Sequence, residues 1–253
     1  MTNQPNAMAQ TADFEFAALN EAKNYRLALL RDFERYLCGN VLEVGAGIGQ
    51  ITSELLRKPA IKNLLSIEPD KDFCAQLRAR FPEHDLLEGT VGDLHSEAEW
   101  NAILSINVLE HIEQDEQELA AYHSLLRSAR GALCLFVPAR QEIYAPIDRD
   151  FGHFRRYTRP ALRKKLEAAG FEIVRIRYYN LAGYFAWWAS FCVLKKRSFD
   201  VAAVRLFDRA IFPAVHGFES HICAPPIGQS LMAVALARQA PAVRRTAASQ
   251  RSA

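Results

Sequence analysis

Residues 40–52 read Asn-Val-Leu-Glu-Val-Gly-Ala-Gly-Ile-Gly-Gln-Ile-Thr, placing Gly45, Gly47 and Gly49 directly after a short valine and leucine run. One glycine serves a tight turn. Three at alternate positions suggest a ligand lying against the bare main chain. The stretch therefore favours folds in which a strand feeds a glycine loop and then a helix. The rest of the chain extends that pattern: apolar runs at 41–44, 64–68, 85–89, 102–106, 132–137, 172–179 and 230–237 alternate with helical stretches such as 15–37, 50–58, 114–130 and 159–170. Such alternation predicts an α/β fold with a parallel sheet covered on both faces. Thr158 is placed to cap the helix starting at 159, and Gly170 to end it in a left-handed turn.

No repeat or linker interrupts the pattern, which predicts one domain over 13–240 with disordered tails at 1–12 and 241–253. The unusual element is the stretch between the last two strands, a helical lid over 181–228 rich in Phe, Trp, Leu and Pro. A net charge of +2 is too mild for a nucleic-acid binder. The five cysteines are scattered and form no Cys-x-x-Cys pair, which argues for a reducing cytosol and against a disulfide framework or structural zinc. The first residues lack the basic start and apolar core of a signal peptide.

The glycines do not spell a dinucleotide fingerprint. Counted from Gly45, that pattern needs glycine at position 50, where Gln50 stands. Glu43 lies just ahead of the loop, and an acid there suits a cationic or amine-bearing ligand better than a pyrophosphate. Glu68, followed by Pro69, ends the second strand, where a carboxylate can accept both hydroxyls of a ribose. Asp93 falls in the loop after the third strand, within reach of an exocyclic amine, and Asn107 closes the fourth.

In this order and at these intervals the motifs resemble those of the class I S-adenosylmethionine-dependent methyltransferases, over residues 13–180 and 229–238. The resemblance implies a Rossmann-like seven-stranded sheet whose last strand is antiparallel. It implies that Gly45, Ala46 and Gly47, with Glu43, lie under the methionine portion of S-adenosylmethionine. Glu68 and Pro69 would hold the ribose, and Asp93 and Leu94 would frame the adenine. Asn107 would border the cofactor, and Tyr25 would close over it from the N-terminal helix.

Methyl transfer to oxygen or nitrogen is helped by a base, for which histidine is suited. His84, His95 and His123 have polar or helical surroundings and read as surface residues, whereas His216 and His221 belong to the lid. His111 follows the fourth strand, at the face where acceptors bind, and is with His153 a candidate catalytic base. His153 lies in a stretch of the form Asp-x-x-x-Gly-His-x-Arg-Arg-Tyr-Thr, from Asp148 to Thr158, which resembles bacterial family members near the ubiquinone-type O-methyltransferases. His153 is thus either a catalytic base or a loop anchor bonded to Asp148 or Asp150. The ubiquinone-type relatives can hold a divalent ion on a Glu-x-x-Glu-His element. Asn107 stands at the first glutamate position, and the adjacent Glu110 and His111 are expected to diverge, so no metal is expected.

The expected acceptor contacts are Tyr144, Arg156, Tyr157, Tyr184 and Trp187. The segment 178–198 is apolar and aromatic and ends in Lys195, Lys196 and Arg197, too short and interrupted for a spanning helix. It reads as a lid over an apolar pocket or as an interfacial helix collecting a lipid-linked substrate. The implied activity is methylation, at oxygen by preference, of a small or lipid-like acceptor by an enzyme that is cytoplasmic or peripheral to a membrane. A silent cofactor-binding subunit and another reaction of the sulfonium are the rivals. The oligomeric state is not legible.

Overall fold

The computed structural model describes residues 20–95, 98–222 and 224–239, so the two expected tails lie outside the described residues. Seven strands form one sheet: β1 (Gly39–Val44), β2 (Ile61–Glu68), β3 (Asp85–Glu88), β4 (Ala102–Ile106), β5 (Ala132–Pro138), β6 (Phe171–Tyr179) and β7 (Ser230–Ala237). Their spatial order is β3-β2-β1-β4-β5-β7-β6. Pairs among β1 to β5 are parallel, and β7 runs antiparallel to both β5 and β6. The expected seven-stranded sheet with an antiparallel last strand is present.

Strand periodicity divides the core into two layers. Leu42, Val44, Leu133 and Leu135 face one side, with Leu119, Tyr122 and Leu126 of α4 (Asp115–Leu126) and Leu162 and Leu166 of α6 (Arg159–Ala168). Their neighbours Val41, Cys134 and Phe136 face the other side, with Leu29, Leu30 and Phe33 of α1 (Lys23–Phe33). β5 is buried along its whole length, which explains its unbroken apolar sequence. Thr158 accepts from the Ala161 amide at 3.3 Å, and Gly170 ends α6 with φ +97°, both as expected.

The helix expected over 50–58 is shorter, α2 being only Thr52–Leu55. α3 (Lys71–Arg80) is capped by the Asp70 carboxylate, and α5 (Pro146–Asp150) lies in the loop after β5. The lid forms two helical arms. One is α7 (Leu181–Trp187), continuing in wider π-type turns over Trp188–Val193. The other runs from α8 (Val201–Leu206) through similar turns over Phe207–Ile211 into α9 (Phe212–His221).

Both arms are fastened by buried carboxylates. Asp208 accepts from the Asn24 and Tyr25 amides at 3.0 and 2.9 Å, capping the start of α1 from the lid. Glu219 accepts from the Asn180 and Leu181 amides at 3.0 and 2.6 Å, at the start of α7. Each satisfies amides that a helix start leaves open.

Candidate active site

In a parallel sheet, ligands bind beyond the carboxyl ends of the strands, where the strand order reverses. Here that point lies between β1 and β4. After Val44 the chain turns at once, and the Gly45 and Ala46 amides both donate to the Ile67 carbonyl, at 2.9 and 3.1 Å. Gly45 has φ +75°, and a Cβ there would stand 2.3 Å from Cγ2 of Val108, in the loop after β4. Gly47 has φ +54°, and its amide donates to Glu68 Oε2 at 2.7 Å. The loop is thus folded tightly between β2 and the segment beyond β4.

Glu68 is buried at the end of β2, and its other oxygen accepts from the Asp70 amide at 3.0 Å. Burial raises its pKa against those two amide bonds. Glu43 lies beneath the loop, only 3% exposed, and its Oε2 accepts from Thr52 at 2.7 Å and from Ser66 at 2.6 Å. Its Oε1 is buried without a hydrogen-bond partner. Burial pushes Glu43 up to about 7, opposed by the Ser66 and Thr52 bonds. Asp93 is exposed, accepting from the Thr90 amide and hydroxyl at 2.8 Å each, and these bonds lower its pKa. Leu94 packs against the core, Ala46 is buried and Pro69 is exposed.

A second region opens between the sheet and the lid, a cavity of about 470 Å³ lined mainly by apolar groups. That size suits a small-molecule site. Asn107, Phe136 and Ser230 form its sheet side, Trp187, Phe191, Leu206 and Ile211 its lid side, and Tyr25 enters from α1. Tyr25 packs edge-on against Phe136 and Tyr179, with centroids 6.0 and 5.6 Å apart. Asn107 adopts φ +53°, its amide donating to the Phe136 carbonyl.

Glu110, His153 and Arg156 complete the wall. One oxygen of Asp148 faces His153 Nδ1 at 3.0 Å and accepts from Arg156 Nε at 2.8 Å. Asp148 is fully buried; burial would raise its pKa, but the His153 and Arg156 contacts keep it below the usual carboxylate value. His153 Nε2 is buried without a hydrogen-bond partner, 4.0 Å from Glu110 Oε1. His111 is exposed as a residue, but its ring stands edge-on to that of His153, centroids 4.7 Å apart; partial desolvation of the ring and the neighbouring imidazole push its pKa down.

Ligating atoms of Glu110, His111 and His153 all lie within 4.8 Å of one another. The expectation that Glu110 and His111 would simply diverge is therefore corrected. The loop after β5 brings His153 beside them, and the three form a candidate metal cluster.

A methyltransferase-domain family model matches residues 5–176, more than half of the chain. The chain belongs to that family. This methyltransferase is 25% identical over 176 residues to a probable S-adenosylmethionine-dependent methyltransferase of Mycolicibacterium smegmatis, covering 67% of each chain. Its fold is similar to a chain of the complex between the Haloferax volcanii Trm112 methyltransferase activator and a methyltransferase, with TM-score 0.61, 13% identity and coverage of 94% of this chain and 100% of that one. It is also similar to an S-adenosylmethionine-dependent methyltransferase from Clostridium acetobutylicum, with TM-score 0.56, 10% identity and coverage of 85% and 92%. S-adenosylmethionine is the cofactor of this methyltransferase.

Not every residue expected at the acceptor site of the methyltransferase lines the cavity. Arg156 and Trp187 do, with the guanidinium carbon 4.3 Å above the indole ring. Tyr144, Tyr157 and Tyr184 stand outside its wall. The Tyr144 hydroxyl donates to the His153 carbonyl at 2.7 Å, and the Tyr157 hydroxyl to Asp115 at 2.8 Å within the core. Tyr184 packs into a cluster of loop and lid residues with Trp187 and Phe191. Arg155, next to Arg156, is bound to Asp115 at 2.9 Å and to the Ile112 and Glu113 carbonyls. In the sequence Asp148 is only one of two possible anchors for His153. Its spacing before Gly152-His153 was the signal, but its grip on Arg156 was not readable.

Proposed function

We propose that the methyltransferase methylates an oxygen of a small or lipid-linked, largely apolar acceptor held in the cavity under the lid, with His153 as the base. The observation that carries this reading is the state of the His153 ring: Nδ1 is fixed on Asp148, while Nε2 is buried in the cavity wall without a hydrogen-bond partner. An imidazole oriented on one nitrogen by a carboxylate and without a hydrogen bond on the other is arranged to take a proton.

S-adenosylmethionine supplies an activated methyl group, leaving the chain to bind, align and exclude water. Glu68 would accept from the ribose hydroxyls at the end of β2, and Asp93 with Leu94 would border the adenine. The glycine loop, with Glu43 beneath it, would lie against the methionine portion. As the acceptor oxygen takes the methyl group, its proton passes to His153 Nε2, and Asp148 stabilises the imidazolium that forms. Trp187, Phe191, Leu206 and Ile211 keep the acceptor in apolar surroundings.

Purified protein incubated with S-adenosylmethionine and a panel of phenolic, carboxylic and prenylated acceptors is the test. Product gaining one methyl with release of S-adenosylhomocysteine supports the reading. His153→Ala is expected to lower turnover by roughly 10²–10⁴-fold with cofactor affinity unchanged. Wild-type turnover in that variant removes His153 from the chemistry.

A further inference from the structure

Of the twelve exposed large apolar residues among the described ones, eight lie between 185 and 222, on the lid. Phe185 and Trp188 on the first arm are 54% and 49% exposed, and Leu206 and Phe218 on the second are 64% and 51%. A soluble surface scatters such groups singly, whereas a concentration on one element marks a contact surface.

The outward charge of the same element is mainly positive. Of its acids, Asp208 and Glu219 are each 3% exposed and hold helix-start amides, while Asp200 is exposed and caps α8 through the Ala202 and Ala203 amides. Of its cations, Arg197 pairs with Asp150 and Arg205 with Glu21. Lys195, Lys196 and Arg209 have no ion-pair partner among the described residues. Leu206 and Ile211 line the cavity yet are 64% and 45% exposed, so the cavity opens onto this surface.

We infer that the outer face of the lid docks on an anionic lipid bilayer, with the cavity mouth turned toward the lipid. Aromatic and aliphatic groups flanked by an excess of unpaired cations match the acyl boundary and the phosphate layer above it. A second copy is disfavoured, because a symmetric contact would set the same unpaired cations against themselves. No described helix is long and apolar enough to cross the membrane, so the contact is interfacial. The inference deepens the lipid-linked reading of the acceptor and rests on it only for the purpose of the contact.

Co-sedimentation of the full chain with vesicles tests it without any acceptor. Binding is expected to phosphatidylcholine vesicles containing phosphatidylglycerol, to weaken with added salt, and to be weak on phosphatidylcholine alone. Phe185→Ser with Trp188→Ser, and separately Lys195→Glu with Arg209→Glu, should each lower binding about tenfold or more, corresponding to ~1.4 kcal/mol. S-adenosylmethionine affinity, measured by calorimetry, should stay unchanged and shows that the variants are folded. No sedimentation with either vesicle, or sedimentation indifferent to both double variants, overturns the inference. A dimer in solution that Phe185→Ser and Trp188→Ser dissolve, without vesicle binding, assigns the face to a second copy instead. Turnover of a soluble acceptor without vesicle binding overturns the docking and leaves the methyl-transfer reading intact; vesicle binding without turnover of any lipid-linked acceptor does the reverse.

Discussion

His153 Nδ1 stands 3.0 Å from Asp148 Oδ1, the same oxygen that receives the Arg156 guanidinium. One buried carboxylate therefore fixes both polar groups that the loop after β5 presents to the cavity. Asp148→Asn removes the charge while keeping nearly the same shape. It leaves the Arg156 side chain, 1% exposed, without its counter-charge. Denaturant unfolding is expected to show a loss on the order of 3–5 kcal/mol. In the fraction that remains folded, kcat should fall more than the KM for S-adenosylmethionine rises. Wild-type stability and turnover would show that the shared contact is dispensable.

Chelation separates two uses of one cluster. An ion with bonds of about 2.0–2.2 Å needs its ligand atoms roughly 3–3.5 Å apart. His153 Nε2 and Glu110 Oε1 are 4.0 Å apart, and His153 as a base needs the same nitrogen free. Activity is expected to survive EDTA. A loss restored by zinc or manganese would assign Glu110, His111 and His153 to an ion and displace the base reading.

Glu43 ties the pH dependence of stability to the floor of the glycine loop. Burial keeps it protonated up to about 7 when folded, against an ordinary value of 4.5. Between those values the folded chain holds a proton that the unfolded chain has released. The Glu43 contribution thus falls as pH rises through that window and levels off above it. Glu43→Gln keeps an oxygen for Thr52 and Ser66 but has no charge to bury. Relative to wild type, the variant should gain on the order of 3 kcal/mol between pH 4.5 and 8 in denaturant titrations. A constant difference across that range would place the Glu43 charge elsewhere.

Cofactor affinity reports on the β1–β2 edge. Glu68→Ala removes the carboxylate proposed for the ribose and should weaken S-adenosylmethionine binding by about 1–3 kcal/mol in calorimetry. Gly45→Ala should weaken it as well, since the new methyl would meet Val108 at a backbone angle of φ +75° that side chains rarely adopt. Wild-type affinity in both would move the cofactor away from this loop.

Much of this was readable because it is local. The bounds of β4 and β7 agree with the apolar runs at 102–106 and 230–237, and the glycines of the β1 loop all take positive φ. Strand periodicity and left-handed backbone are properties of a few neighbouring residues, so sequence alone carries them. The tertiary structure decided what lies far apart in the chain. Asp208 caps α1 across 184 positions, and His153 reaches Glu110 only because the loop after β5 folds back over the end of β4. Tyr157, which reads as an acceptor contact in the Arg-Arg-Tyr-Thr stretch, turns inward because Asp115, 42 positions earlier, takes its hydroxyl. A side chain's partner is set by how the crossovers pack on the sheet, and a buried hydroxyl or carboxylate goes to whichever donor or acceptor that packing brings within reach.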